Sequence, residues 1–253
     1  MSNWKDKVKS LGRKSSPKLE IARRVSVKMN DGVPMFVEYD KDSKTNVWSS
    51  DAMEGVLLGN CMIMEAFSDT LGRNGGTYRS DYFFRKDRVV LYGNGEKVVT
   101  GTADEIDAWV AKNTSEKGAK KRMVMFVLTK DGVVAITTNM TLGIDSVNGV
   151  GDKSQSNFVM VIPKVFSNSD KGIGRKAKEV LGKLAAKNPP AYASLEVGQE
   201  ISDDFANKTN LGDVIDQFVE WRSYKMSMTK SAEPEQESES TPTVVEDTND
   251  LPF

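Results

Sequence analysis

Short apolar runs separated by Gly, Asn and Asp recur through the middle of this chain, and their period is mostly that of strands rather than helices. Val33 to Tyr39 predicts a first strand, and the apolar run Cys61 to Phe67 predicts another, ending at the turn-forming sequence Leu71-Gly72-Arg73-Asn74-Gly75-Gly76. Thr77 to Phe84 and Arg88 to Tyr92 continue the pattern, with Gly93-Asn94-Gly95 as a hairpin turn into Lys97 to Val99. Arg122 to Thr129 and Val133 to Thr138 flank Lys130-Asp131-Gly132 as a second hairpin, and Asn157 to Phe166 predicts a further long strand.

Helical spacing appears in three places. Thr102-Ala103-Asp104-Glu105 is a capping box, and Ile106, Trp109 and Val110 behind it predict a short helix over 103–112. Arg175 to Lys187, with Val180, Leu181 and Leu184 on one face, predicts a basic helix stopped by Asn188-Pro189-Pro190. Leu211, Val214, Ile215, Phe218 and Trp221 predict an amphipathic helix whose apolar face docks on the body. Many short strands with a few inserted helices point to a mainly β, α+β fold. The expectation is an elaborated OB-like, partly closed β-barrel.

Charge divides the chain into three parts. From Ser231 to Phe253 there are Glu233, Glu235, Glu237, Glu239, Glu246, Asp247 and Asp250 and no Lys or Arg. The remaining 230 residues hold 35 basic and 29 acidic residues, about +6 net against −1 for the whole. Much of the excess lies in the first 28 residues, including Lys5, Lys7, Lys9, Arg13, Lys14, Lys18, Arg23, Arg24 and Lys28 against Asp6 and Glu20. The expected organisation is therefore a basic arm at 1–28, an OB-like core at 29–228 and an acidic tail at 229–253. The tail composition is too polar to repay the entropy of ordering, so disorder is expected there. Its tip, Asp250-Leu251-Pro252-Phe253, suits capture in a small apolar pocket with basic flanks.

Other chemistry is narrowed by absence. Cys61 is alone and there is no His, which removes the commonest general base and the usual zinc ligand sets. No cofactor or metal is expected. No long apolar run or signal-like start is seen, so the expected location is the cytoplasm, with no membrane partner. Asp203 and Asp204 near Glu200 are the one cluster that could suggest a metal-dependent nuclease, but adjacent acids at a helix start are more often capping charges.

Three constellations suggest nucleic acid. In Thr77 to Lys86, aromatics interleave with cations directly after the loop that carries Arg73. Strand alternation would set Tyr78, Ser80, Tyr82 and Phe84 on one face and Arg79, Asp81, Phe83 and Arg85 on the other. Rings such as Tyr78, Tyr82 and Phe83 can stack bases while Arg79, Arg85 and Lys86 hold phosphates, although one of these faces could equally be core. Lys120, Lys121 and Arg122, close after Lys112 and Lys117, form a basic segment that tracks a phosphate backbone or is merely solvated. Lys171, Arg175 and Lys176 surround Gly172 and Gly174 at a helix start, an anion-binding arrangement that lacks P-loop spacing.

The tail resembles that of bacterial single-stranded-DNA-binding proteins (SSBs), which end in acids followed by Ile-Pro-Phe. Leu251 stands here in the Ile position and Asn249 where an acid would be. The body is similar instead to larger SSBs and related replication proteins of tailed phages, through Tyr78-Arg79-Ser80-Asp81 and the Val133 to Thr138 strand. The resemblance implies sequence-nonspecific binding of single-stranded DNA in replication, recombination and repair. It also implies that the tip recruits a polymerase, helicase, primase or nuclease. It implies no catalytic residue. A homo-oligomer is compatible with it. A different class of function, a replication adaptor or loader whose main ligands are proteins, would use the same tip.

Overall fold

Sixteen consecutive residues, Met53–Ser68, form one strand, because β-branched and other apolar side chains run through it without a proline. This strand, β4, organises the computed structural model. The structure describes residues 16–72, 75–169, 174–175, 178–179, 181–182 and 189–230. The start of β4 pairs with β10 (Asn157–Val165), its middle with β8 (Lys120–Thr129) and its end with β5 (Gly76–Ser80). The remaining strands are β1 (Arg23–Asn30), β2 (Val33–Asp40), β3 (Thr45–Ser49), β6 (Val89–Gly93), β7 (Glu96–Gly101), β9 (Gly132–Asn139) and β11 (Ala191–Glu200). The fold is mainly β. Its 11-stranded sheet runs β3-β2-β1-β9-β8-β4-β5-β6-β7, with β10 and β11 joined through β4. The sheet is mixed, since β1 runs parallel to β9. It is not a closed barrel, and β3 and β7 stand at its two ends.

Each face of the sheet has its own cover. On the inner face Val25, Phe36, Met125, Val127, Val134 and Ile136 meet Val159 and Val161 of β10 and Ala193 and Leu195 of β11. Helix α2 (Met140–Val150), capped by the Asn139 side chain accepting from the Thr141 and Leu142 N–H groups, adds Val150 to that core. Further along the inner side, α1 (Ala103–Asn113) buries Ala103, Ile106 and Val110 against Met64, Ala66, Val89 and Leu91. The outer face is covered by α4 (Leu211–Lys230), which follows the short α3 (Asp203–Lys208). Phe218 and Trp221 of α4 pack on Cys61, Ile63, Val124 and Phe126. The approach is close: a Cβ at Gly59 would lie 2.9 Å from the Phe218 ring. Among the described residues, no helix is long and apolar enough to cross a membrane.

The structure extends several expectations and corrects others. β1 takes Arg23, Arg24 and Lys28 into the sheet, so the basic arm expected over 1–28 ends earlier. Thr77 to Phe84 is not one strand. β5 ends at Ser80, whose Oγ accepts the Met64 N–H at 2.8 Å and donates to the Asp81 carbonyl. Of the expected basic helix, Arg175, Lys178, Glu179, Leu181 and Gly182 are described as helical, and Leu181 packs on Leu142, Phe166 and Tyr192. Asp203 and Asp204 occupy the first turn of α3, behind its Ser202 cap.

The capping box at α1 carries a pH prediction. The Thr102 N–H donates to Glu105 Oε2 at 2.6 Å, and Thr102 Oγ1 accepts from the Glu105 N–H at 3.2 Å. The bonds from Thr102 hold the Glu105 carboxyl below its ordinary value of 4.5. A carboxyl depressed by folding stabilises the fold above its unfolded value, and that contribution is lost as pH falls through the lower folded value. Glu105→Gln should therefore melt below the wild type at neutral pH, with the gap closing at an acid pH well below the ordinary carboxylate range. Circular-dichroism melts at the two pH values check it; an unchanging gap would refute the electrostatic account.

Candidate nucleic-acid interface

Register brings charged and aromatic residues into one row on the outer face, beyond the end of α4. Lys120 stands opposite Glu65, Glu65 opposite Arg79, Arg79 opposite Tyr92 and Tyr92 opposite Lys97. Residues directly opposite each other share a face, so the row crosses five strands, roughly 19 Å at the usual strand spacing. Arg122 lies two residues from Lys120 on the same face, and Phe67 two residues from Glu65. Phe67 is 43 % exposed.

Lys120, Arg79 and Arg122 are partnered by carboxylates, the two arginines loosely. Lys120 Nζ lies 2.9 Å from Glu116, while Arg79 and Arg122 approach the two oxygens of Glu65 through their Nε atoms at 3.6 and 3.7 Å. The side chains of Arg79 and Arg122 are about half and one-third exposed. Such exposed pairs are worth about 0–1 kcal/mol, so an incoming phosphate exchanges for them at little cost.

Beside the row lies a small pocket of about 110 Å³, walled by Tyr82, Val90, Tyr92 and Met228 with Arg88 and Lys225 among its lining residues. Lys225 forms an ion pair with Asp81, and Arg88 Nη1 donates to the Met228 carbonyl at 3.4 Å. Together they fasten the last turns of α4 against the sheet. Cys61 lies on the same face beneath the helix, where burial, with Asp81 adding to it, pushes its thiol well above the ordinary value. It stays a protonated core residue.

The expected site residues separate into groups. Arg79, Lys120 and Arg122 stand together on the outer face. Tyr78 faces the other way, edge-on to Trp109 with centroids 5.3 Å apart. Tyr82 lies under α4, edge-on to Phe126 and Trp221. Phe83 is 5 % exposed and belongs to the core beneath α1, so it offers no stacking surface. The alternation expected for this segment fails because one extra residue enters it. With Glu65 opposite Arg79, regular pairing would set Tyr82 opposite Met62; Phe83 stands there instead, exchanging two backbone hydrogen bonds with Met62.

The other candidates lie off the row. Arg85 pairs with Asp87 at 2.9 Å, and Lys86 is exposed on the same segment, its carbonyl accepting from the Ala103 N–H. Lys121 points to the inner side and pairs with Asp107 at 2.6 Å. Arg175 is exposed, but the adjacent Gly174 N–H is already taken by the Asp145 carboxylate at 2.9 Å, which fills the place expected for an anion. Arg73, Lys171, Lys176 and the tip residues Asp250, Leu251, Pro252 and Phe253 lie outside the described residues. Sequence reasoning missed Glu65, Phe67 and Lys97. For Glu65 and Phe67 the signal was the switch from buried Cys61 and Ile63 to a charged and then an exposed residue on one face, which marks where the helix cover stops; Lys97 had no such signal.

Among the described residues, no group of His, Cys, Asp or Glu is arranged to hold a metal ion, and Asp204 is paired with Lys208 at 2.9 Å. No protein-family model matches the chain, and no curated protein or solved structure matches it either.

Proposed function

We propose that this chain binds single-stranded DNA without regard to sequence, on the outer sheet face beyond α4. The observation that carries the reading is the row Lys120, Glu65, Arg79, Tyr92 and Lys97, flanked by Arg122 and the exposed Phe67. Cations spaced across a sheet follow a phosphate backbone, and rings between them stack bases whatever their identity, at about 1–3 kcal/mol per base. Duplex DNA, with its bases stacked inside, gains nothing from such rings. On this reading the curled part of the sheet, from β1 through β9, β8 and β4 to β10 and β11, serves as an elaborated OB-like, partly closed barrel.

The acidic tail completes the proposal. Asp250, Leu251, Pro252 and Phe253 recruit replication, recombination or repair proteins, and the chain protects the strand they work on. No catalytic step is assigned. An adaptor that binds proteins first remains the second reading, and Ile215 and Val219, exposed at 41 and 55 % on α4, are the observation in its favour.

Fluorescence anisotropy of a labelled poly-dT oligonucleotide, against duplex DNA and RNA of equal length, tests the choice. The expected result is a clear preference for the single DNA strand. The row cations Lys97, Lys120 and Arg79, with Arg122 beside Arg79, imply that log K falls with log salt at a slope of about −2 to −3. Equal binding to all three polymers, or none, would transfer the case to the adaptor reading.

A further inference from the structure

We propose that Arg79 and Arg122 form a two-guanidinium seat for a single backbone phosphate of the DNA strand, and that Glu65 fills this seat when no strand is bound. The inference rests on the single-strand reading above. Two guanidinium groups present ten N–H donors between them, whereas one carboxylate offers about four acceptor sites. Glu65 therefore cannot satisfy both. Its contacts are also longer than hydrogen bonds, at 3.6 and 3.7 Å, and both are made through Nε. A bidentate grip of a guanidinium fork on phosphate works at about 2.7–2.9 Å, and neither contact reaches that.

Geometry decides between one phosphate and two. Both arginines reach the two oxygens of a single carboxylate, so a single tetrahedral anion, little larger, can bridge them in its place. The triad carries a net charge of about +1, and β4, β5 and β8 fix its three backbones by direct pairing. The rings nearest to it are placed for neighbouring bases: Tyr92 stands opposite Arg79, and Phe67 follows Glu65 on the same face. Glu65 acts as a stand-in for phosphate that keeps the guanidinium pair from repelling itself apart.

A double-mutant cycle on the full chain, read by dT-oligonucleotide anisotropy, tests the seat. Arg79→Ala and Arg122→Ala should each weaken binding about 5-fold and reduce the salt slope by about 0.7, while Lys208→Ala, an exposed cation away from the row, changes little. The double variant should lose clearly less than the product of the single losses, because both side chains grip one phosphate. Glu65→Gln should bind more tightly at low salt, having lost the competing charge. Arg79→Lys and Arg122→Lys, which keep the charge, should lose affinity with the slope unchanged; this separates loss of the fork from loss of the fold. Losses that multiply, single variants that match Lys208→Ala, or a Glu65→Gln protein that binds no tighter would each overturn the seat. A wild type that shows no preference for single-stranded DNA overturns the underlying reading instead, before any variant is compared.

Discussion

Trp221→Ala should lower the free energy of unfolding by about 3–5 kcal/mol, a large share of the roughly 5–15 kcal/mol that holds an ordinary domain together. Trp221 is 5 % exposed and sits at the centre of an aromatic cluster. Its ring centroid is 5.2 Å from Phe126, 5.6 Å from Phe84 and 5.8 Å from both Tyr82 and Phe218. These rings come from β8, from the segment after β5 and from α4 itself, so truncation leaves a cavity between three parts of the chain that cannot all move inward. Edge-on ring pairs also stabilise beyond the area they bury. Urea denaturation measures the loss. Val219→Ala, two residues earlier on the same helix but 55 % exposed, should change stability by less than about 0.5 kcal/mol. If Trp221→Ala were as mild as Val219→Ala, α4 could not be seated on the outer face as described.

Removing residues 231–253 should tighten binding to single strands about 10-fold at low salt and steepen the dependence on salt. The segment carries seven carboxylates and no cation, and the rest of the chain about +6. Its point of attachment matters as much as its charge. The ion pair of Lys225 with Asp81 and the bond from Arg88 to the Met228 carbonyl hold the end of α4 beside the proposed binding face. A chain of 23 residues spans at most about 80 Å, ample to return to that face from Lys230. A tethered competitor acts at an effective concentration in the range of about 1 mM, without any partner in solution. Salt weakens the tail and the DNA together, so the intact chain loses less affinity on salting than the truncated one, and the two converge as screening increases. Anisotropy titrations of both forms over a salt series measure this. Curves that superimpose at every salt concentration would remove the tail from the binding equilibrium.

Local chemistry was legible wherever a few neighbouring residues settle the geometry. Thr102 and Glu105 form the capping box their spacing predicts. Asn94 and Gly95, both at positive φ, make the hairpin turn between β6 and β7. The β8–β9 hairpin and the apolar face of α4 followed from periodicity in the same way. β1 was hidden by its charge. Val25, Val27 and Met29 alternate correctly and lead into Asp31-Gly32, a hairpin signal, but Arg23, Arg24 and Lys28 made the segment resemble a free basic arm. α2 contains Gly143 and Gly149 among β-branched residues, a poor helix by propensity that forms because it can lie on the sheet and β11.

The candidate site was legible only in pieces. Alternation along one strand assigns faces, but which residues of different strands become neighbours depends on register, and register is set by pairings distant in sequence. Arg79 and Arg122 could be named as cations of interest; that Glu65 joins them follows only from β4 lying between β5 and β8. Tyr82 and Phe83 show the opposite failure, since the rings were rightly noticed and their faces exchanged.

That exchange has a consequence for how this chain can vary. The extra residue between Ser80 and Phe83 turns Tyr82 toward α4 and Phe83 toward α1, and so connects two separate cores. A change of side chain here perturbs one contact. Adding or deleting a single residue would reverse which core each ring enters, and would also carry Asp81 away from Lys225. Among related chains, this segment should therefore conserve its length more strictly than its letters.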